Sequence, residues 1–137
     1  METGIKGREE VTVTPELTAE SIGSGTVPVF ATPMMISLVE KACRCSVEPY
    51  LDEGQTTVGT LVNVAHLAAT PVGMRVWCET ELVETDRRRL VFRVTVRDDA
   101  GPVGEGTHER FIIDSDRFVK KAEARGCTLA GVEVREG

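Results

Sequence analysis

Thr32-Pro33-Met34-Met35-Ile36-Ser37-Leu38-Val39-Glu40-Lys41-Ala42-Cys43 reads as the opening of a helix, and that helix decides the fold. Thr32 can cap it, and Pro33 falls at the first helical position, where a missing N–H costs nothing. Met35, Leu38, Val39, Ala42 and Cys43 recur at three- and four-residue spacing and make one apolar stripe. Pro49 and the Asp52-Glu53-Gly54 turn end it. It is the one strong helix in the first hundred residues, and so much apolar surface is stable only when a sheet wraps it.

Downstream the period changes from helical to two. Residues 56–69 are rich in Thr, Val and Ala and end at the turn Thr70-Pro71-Val72-Gly73. Met74, Val76, Cys78, Thr80 and Leu82 then share one face of a strand, with Arg75, Trp77, Glu79 and Glu81 on the other. Asp86-Arg87-Arg88 turns into a strand in which Leu90, Phe92, Val94 and Val96 alternate with Val91, Arg93, Thr95 and Arg97. Asp98-Asp99-Ala100-Gly101 is a second hairpin signal, leading to a strand over about Val103–Ile113. Upstream, Glu10–Thr14 alternates as a short strand, and residues 18–28, with Gly23-Ser24-Gly25 and Pro28, predict a mobile loop. Asp114-Ser115-Asp116 opens a short terminal helix over 114–125, and residues 126–137 predict a loosely held tail. One strand, one apolar helix and an antiparallel meander make an α+β pattern, here a long sheet curled round one central helix. No repeat or second-domain boundary interrupts the chain, so residues 1–137 are expected to form one domain with its core over about 10–122.

The 137 residues are 41% hydrophobic and 28% charged, an ordinary globular mixture. A net charge of −6 argues against broad nucleic-acid binding, which needs a basic footprint. No apolar run approaches the roughly 20 residues that cross a bilayer, and the N-terminus has no apolar signal core, so a cytoplasmic address is expected. Cys43, Cys45, Cys78 and Cys127 form no disulfide framework, which suits a reducing compartment. With His66 and His108 as the two histidines and no CxxC, no metal site is expected.

Five fragments carry a family likeness: Val29-Phe30-Ala31-Thr32-Pro33-Met34-Met35; Glu40-Lys41-Ala42-Cys43; Val58-Gly59-Thr60; His66-Leu67-Ala68-Ala69-Thr70-Pro71-Val72-Gly73; and Gly104-Glu105-Gly106-Thr107-His108-Glu109-Arg110. Together, over about residues 10–122, they resemble the fluoroacetyl-CoA thioesterase-like group of hotdog-fold proteins. The resemblance implies a hotdog homodimer that hydrolyses the thioester of a small acyl-CoA, with coenzyme A as part of the substrate and no further cofactor. It implies that Thr32, Glu40 and His66 are the catalytic trio. It also implies that Gly59 lies against the substrate, its N–H a candidate donor to the thioester carbonyl, and that Arg110 is a further site residue. One feature departs from the pattern: the fluoroacetate-specialised member has an aromatic-rich segment before this first motif, whereas residues 17–29 here contain no aromatic.

The chemistry is reasonable at these positions, and each residue also has a plainer reading. Thioester hydrolysis needs an activated oxygen, a base and donors for the developing oxyanion. Thr32, at a helix N-terminus, lies where N–H groups and the dipole favour negative charge, yet it could be a helix cap alone. Glu40, eight residues or about 12 Å of helix rise further on, follows the stripe residues Leu38 and Val39; it is either a partly buried reactive carboxylate or a solvent-facing pair member. His66 falls on a strand face shared with Val58, Val62 and Val64, and is either a near-neutral base or an interface histidine. Arg87, Arg88 and Arg89 could meet coenzyme A phosphates or form a solvated turn. His108 reads as structural, Cys43 as core, and Met34 and Met35 as helix packing within view of an acyl pocket.

Two rival functions share the fold. A hotdog hydratase would use an Asp–His pair, whereas the helix here offers Glu40 after a hydroxyl residue. A non-catalytic acyl-CoA sensor would carry an added DNA-reading segment, for which this acidic chain has no room.

Overall fold

A computed structural model describes residues 1–136, with side-chain surroundings for residues 1–127. Five antiparallel strands, β1 (Lys6–Thr12), β2 (Gln55–His66), β3 (Arg75–Asp86), β4 (Arg89–Asp98) and β5 (Gly101–Asp114), form one sheet in the order β1-β3-β4-β5-β2. Helix α2 (Thr32–Val47) lies along its concave face, preceded by the short α1 (Ala19–Ile22). This is the expected curled sheet around a central helix.

The period-two alternation explains the core. Val76, Cys78 and Leu82 of β3 and Leu90, Phe92, Val94 and Val96 of β4 point inward and are fully buried. They meet Met35, Leu38, Val39, Ala42, Cys43 and Val47, the apolar stripe of α2. Each Val, Leu, Phe or Met among them is worth roughly 1.5–3 kcal/mol once buried, so the stripe and the inner face hold each other in place. The convex face is charged, with the cross-strand pair Arg93–Glu81 and with Arg75 of β3 bonded to Asp99 in the turn after β4.

Several boundaries differ from the sequence expectation, each for a local reason. β1 begins at Lys6 rather than Glu10, because charged residues are acceptable on its outer face. Residues 18–28 are not all loop: the Thr18 hydroxyl accepts from Ser21 N–H, and Gly23 at φ 81° ends the single turn of α1. The cap of α2 is Ala31, in extended conformation and with no side-chain hydrogen bond, so Thr32 is the first helical residue and not the cap. The C-terminal helix α3 runs Ser115–Glu136, through residues expected as a tail; Gly137 lies outside the described residues. No helix among the described residues is long and apolar enough to cross a membrane.

The helix approaches the sheet most closely over β1. A Cβ at Gly7 would lie 2.6 Å from Ser46 Cβ and 2.9 Å from the Ala42 carbonyl oxygen, both parts of α2. Gly7→Val should therefore lower unfolding stability by about 1–3 kcal/mol, the usual cost of overpacking, as read by urea denaturation. The same substitution at Gly4, which faces open space, serves as the strained-backbone control, since its φ is 100°.

Candidate active site

Thr32 and His66 meet where α2 starts and β2 ends. Thr32 Oγ1 lies 2.7 Å from His66 Nδ1, a contact between residues 34 apart in sequence. Backbone hydrogen bonds bring the two segments side by side. Phe30 N–H donates to the Thr70 carbonyl at 2.8 Å, and Leu67 N–H donates to Val103 at 2.6 Å. The Thr70 hydroxyl donates in turn to buried Asp98 Oδ2 at 2.7 Å, while Asp98 Oδ1 accepts from Ala100 and Gly101 N–H in the β4–β5 turn. Thus the run after His66 is tied to both the helix start and the sheet.

The Thr32 hydroxyl is free for His66 because the helix does not use it as a cap. His66 Nε2 is buried and has no hydrogen-bond partner among the described residues, so Nδ1 is the nitrogen that faces a reactive group. Burial pushes the His66 pKa below 6.5, against an opposing backbone contribution from Ala68. A neutral imidazole in contact with a hydroxyl can take its proton. A cleft of about 300 Å³ opens beside the pair, lined by Ala19, Val27, Phe30, Leu67 and Ala68 among others.

Glu40 belongs to a second cluster, one built by an irregularity in β2. The register of β2 against β5 shifts between Gly59 and Leu61, so Gly59 lies opposite Arg110 while Val62 lies opposite His108 and His66 opposite Gly104. This β-bulge changes which residues share a face. Thr57 and Gly59 join Val62, Val64 and His66 on the inner side, whereas Val58 pairs with the exposed Phe111 and points outward. The grouping of His66 with Val62 and Val64 therefore holds, and that with Val58 does not.

The inner face at Gly59 has no room for a side chain: a Cβ there would lie 2.7 Å from Glu40 Oε2. Arg110, 4% exposed, reaches toward the same carboxylate with Nη1 at 3.7 Å from Oε2. It also donates through Nε to Thr57 Oγ1 at 2.7 Å and through Nη2 to the Thr57 carbonyl at 2.9 Å. Burial draws its pKa down, with Glu40 opposing, and a guanidinium stays charged regardless. The side chain of Glu40 remains 44% exposed, so a substrate can reach it.

The expected site residues form two pairs within one chain: Thr32 with His66, and Glu40 with Arg110, which meet beside Gly59. Within one chain the helix separates Thr32 from Glu40 by about 12 Å of rise. Arg88 is tied to Asp114 and the Ile112 carbonyl, and Arg89 to Glu84 and Glu109, away from either pair. All four cysteines are free thiols; burial holds Cys43 above its ordinary range and Cys78 at about 12, so neither is a ready nucleophile. Among the described residues no three His, Cys, Asp or Glu side chains gather to hold a metal ion. Sequence reasoning missed Thr57 and Asp98. The first has no signal without knowing the bulge; the second is visible as the Asp that opens the Asp98–Gly101 turn.

Comparison with known proteins agrees with the fold. The model of the family described as fluoroacetyl-CoA-specific thioesterase matches residues 13–116. The fluoroacetyl-CoA thioesterase of Streptantibioticus cattleyicolor is 43% identical over 103 residues, 75% of this chain and 73% of that protein. A solved structure of the fluoroacetyl-CoA thioesterase FlK superposes with a TM-score of 0.85 at 35% identity, covering 90% of this chain and 96% of that one. A thioesterase superfamily member from Thermus thermophilus superposes with a TM-score of 0.88 at 30% identity, covering 95% and 96%. By the length of the match and the identity to a relative of known activity, this chain belongs to the fluoroacetyl-CoA-specific thioesterase family.

Proposed function

We propose that the protein hydrolyses the thioester of a small acyl-CoA, with Thr32, Glu40 and His66 as the reactive group. The observation that carries this reading is the 2.7 Å contact of Thr32 Oγ1 with His66 Nδ1 at the wall of an apolar cleft. His66 takes the proton of the attacking oxygen, either the Thr32 hydroxyl or a water that Thr32 positions, and passes it to the departing thiolate of coenzyme A. On the first route a water, deprotonated in turn by His66, then cleaves the Thr32 ester and releases the acid. Gly59 N–H is the candidate donor to the thioester carbonyl, its missing side chain leaves room for Glu40, and Arg110 keeps that carboxylate in place. The acyl group is less restricted than fluoroacetate: the cleft has Phe30 as its one aromatic, and that ring is buried in the wall. A net charge of −6 and four free thiols support an enzyme of small molecules in a reducing, cytoplasmic setting, without nucleic-acid or membrane partners.

The working unit in this reading is a homodimer. β2 is an edge strand whose residues Leu61, Asn63 and Ala65 are exposed, and Leu61 is 51% so. Pairing two such edges about a two-fold axis removes both from solvent. Antiparallel pairing also runs the Gly59 end of one β2 past the His66 end of the other, which would join the two half-sites across the interface.

Three measurements test this. Thr32→Ala, Glu40→Ala and His66→Ala should each lower kcat/KM for the best substrate of a short-, medium-chain and fluorinated acyl-CoA panel by ~100-fold or more, with melting temperature retained. Turnover that survives all three would remove this assignment. Because only neutral His66 can accept the proton and its pKa lies below 6.5, the acid limb of the kcat/KM profile should have its midpoint below pH 6.5, with activity rising through it. Mixing and co-refolding inactive Glu40→Ala and His66→Ala chains should restore about a quarter of wild-type activity, as half the dimers are mixed and each carries one intact shared site. A mixture that stays inactive places each site within one chain.

A further inference from the structure

The cluster behind Glu40 contains a histidine that the hydrolytic chemistry has not used. His108 is fully buried on β5, its ring 6.4 Å from that of Phe92. Its Nδ1 lies 2.8 Å from the carbonyl oxygen of Leu61, the residue that closes the β2 bulge. Its Nε2 lies 3.1 Å from Nη1 of Arg110. A carbonyl only accepts and a guanidinium only donates, so both contacts demand the same state of the ring. The hydrogen sits on Nδ1, and Nε2 offers its lone pair to Arg110.

We propose that His108 is a positioning residue: by accepting one Nη1–H of Arg110, its neutral imidazole holds the guanidinium so that Arg110 steers Glu40 without capturing it. The inference rests on the reading that Glu40 serves the hydrolysis. Arg110 spends Nε–H and one hydrogen of Nη2 on Thr57, and the nitrogen that lies between His108 and Glu40 is Nη1, with two hydrogens. One goes to His108 and the other points toward Glu40 at 3.7 Å, well beyond the ~2.8 Å of a charge-assisted hydrogen bond. Without the imidazole acceptor, Nη1 is free to close on Glu40. The carboxylate would then be neutralised in a tight ion pair and pulled from its place against Gly59.

The surroundings keep the ring neutral. Burial lowers the His108 pKa, the Leu61 carbonyl opposes this, and the positive charge of Arg110 lowers it further; Glu40 from α2 and Glu109 from β5 favour the charged form. A protonated ring would set N–H against N–H at Arg110. Through Leu61 the same imidazole also pins the bulge that puts Gly59 on the inner face. One side chain thereby fixes both the space beside Gly59 and the carboxylate that fills it.

Two amides separate the roles of the two ring nitrogens. Asn at this position keeps a donor near Leu61 but has no acceptor within reach of Arg110; Gln carries an oxygen to about where Nε2 lies. His108→Asn should lower kcat by ~10-fold or more with KM within about twofold of wild type, and His108→Gln should recover most of that loss. Adding His108→Asn to Glu40→Ala should cost nothing further, since the effect passes through Glu40. Equal turnover by wild type and folded His108→Asn, or equal losses in the Asn and Gln variants, would overturn the proposal. So would ring ¹⁵N shifts of the wild-type protein showing a charged His108, or a hydrogen on Nε2, at pH 7; this measurement needs no variant to fold. Full activity of Glu40→Ala would instead remove the reading on which the inference stands.

Discussion

A single helix has to supply nearly all the apolar surface that the inner face of a five-stranded sheet needs. Met35, Leu38, Val39, Ala42, Cys43 and Val47 do so, and the sheet curls to keep them covered. That requirement fixes the distance between α2 and the strands, which at Gly7 leaves no room for a methyl group. It also fixes what may be polar inside. Arg110, His108 and Thr57 enter the concave face only because their hydrogen-bonding groups satisfy one another. The proposed reactive groups therefore lie at the rim of the helix–sheet contact, at the N-terminus of α2 and on its flank, where apolar packing gives way to solvent.

The two rims are made by different means. At the helix start, Phe30 from the segment before Thr32 donates to Thr70 from the segment after His66, Leu67 bonds to Val103 of the sheet, and Thr70 is anchored to Asp98 in a distant turn. This is a braced junction in which backbone pairing does most of the work. On the helix flank the brace is a side-chain relay running from the Leu61 carbonyl through His108 and Arg110 toward Glu40. The first holds a hydroxyl against an imidazole; the second holds a carboxylate against a glycine. Neither contains all the groups that the proposed hydrolysis asks for, and in the proposed homodimer the edge strand between them would join the two.

Much of this was legible in the sequence, and the gaps have physical causes. The α2 stripe and the alternation of β3 and β4 are strong periodic signals, and the core follows from them directly. Thr32 and His66, singled out by the family motifs, are in contact in the fold. The chain alone could not reveal that Thr32 gives its hydroxyl to His66 instead of to the helix, since Ala31 at the cap needs no side-chain bond and so leaves no trace. Nor could it reveal the bulge in β2: a period-two reading carries Val58 to the His66 face and Gly59 away from it, and one extra residue reverses both. His108 read as structural because a buried histidine beside an arginine looks like any core polar pair until the partners of both nitrogens are known.

The bulge has an evolutionary corollary. Edge strands are ordinarily where a sheet best tolerates the gain or loss of a residue, since one side is free to slip. In β2 that freedom is gone. Seven positions, an odd number, separate Gly59 from His66, yet both must face the helix, and only the shift between Gly59 and Leu61 reconciles the two. Deleting one residue there would restore a regular strand and turn one of them outward with every contact it makes. Relatives that keep this chemistry are thus free to vary the residue types of the strand far more than its length, and a change of length within it would mark a lineage that has abandoned the site.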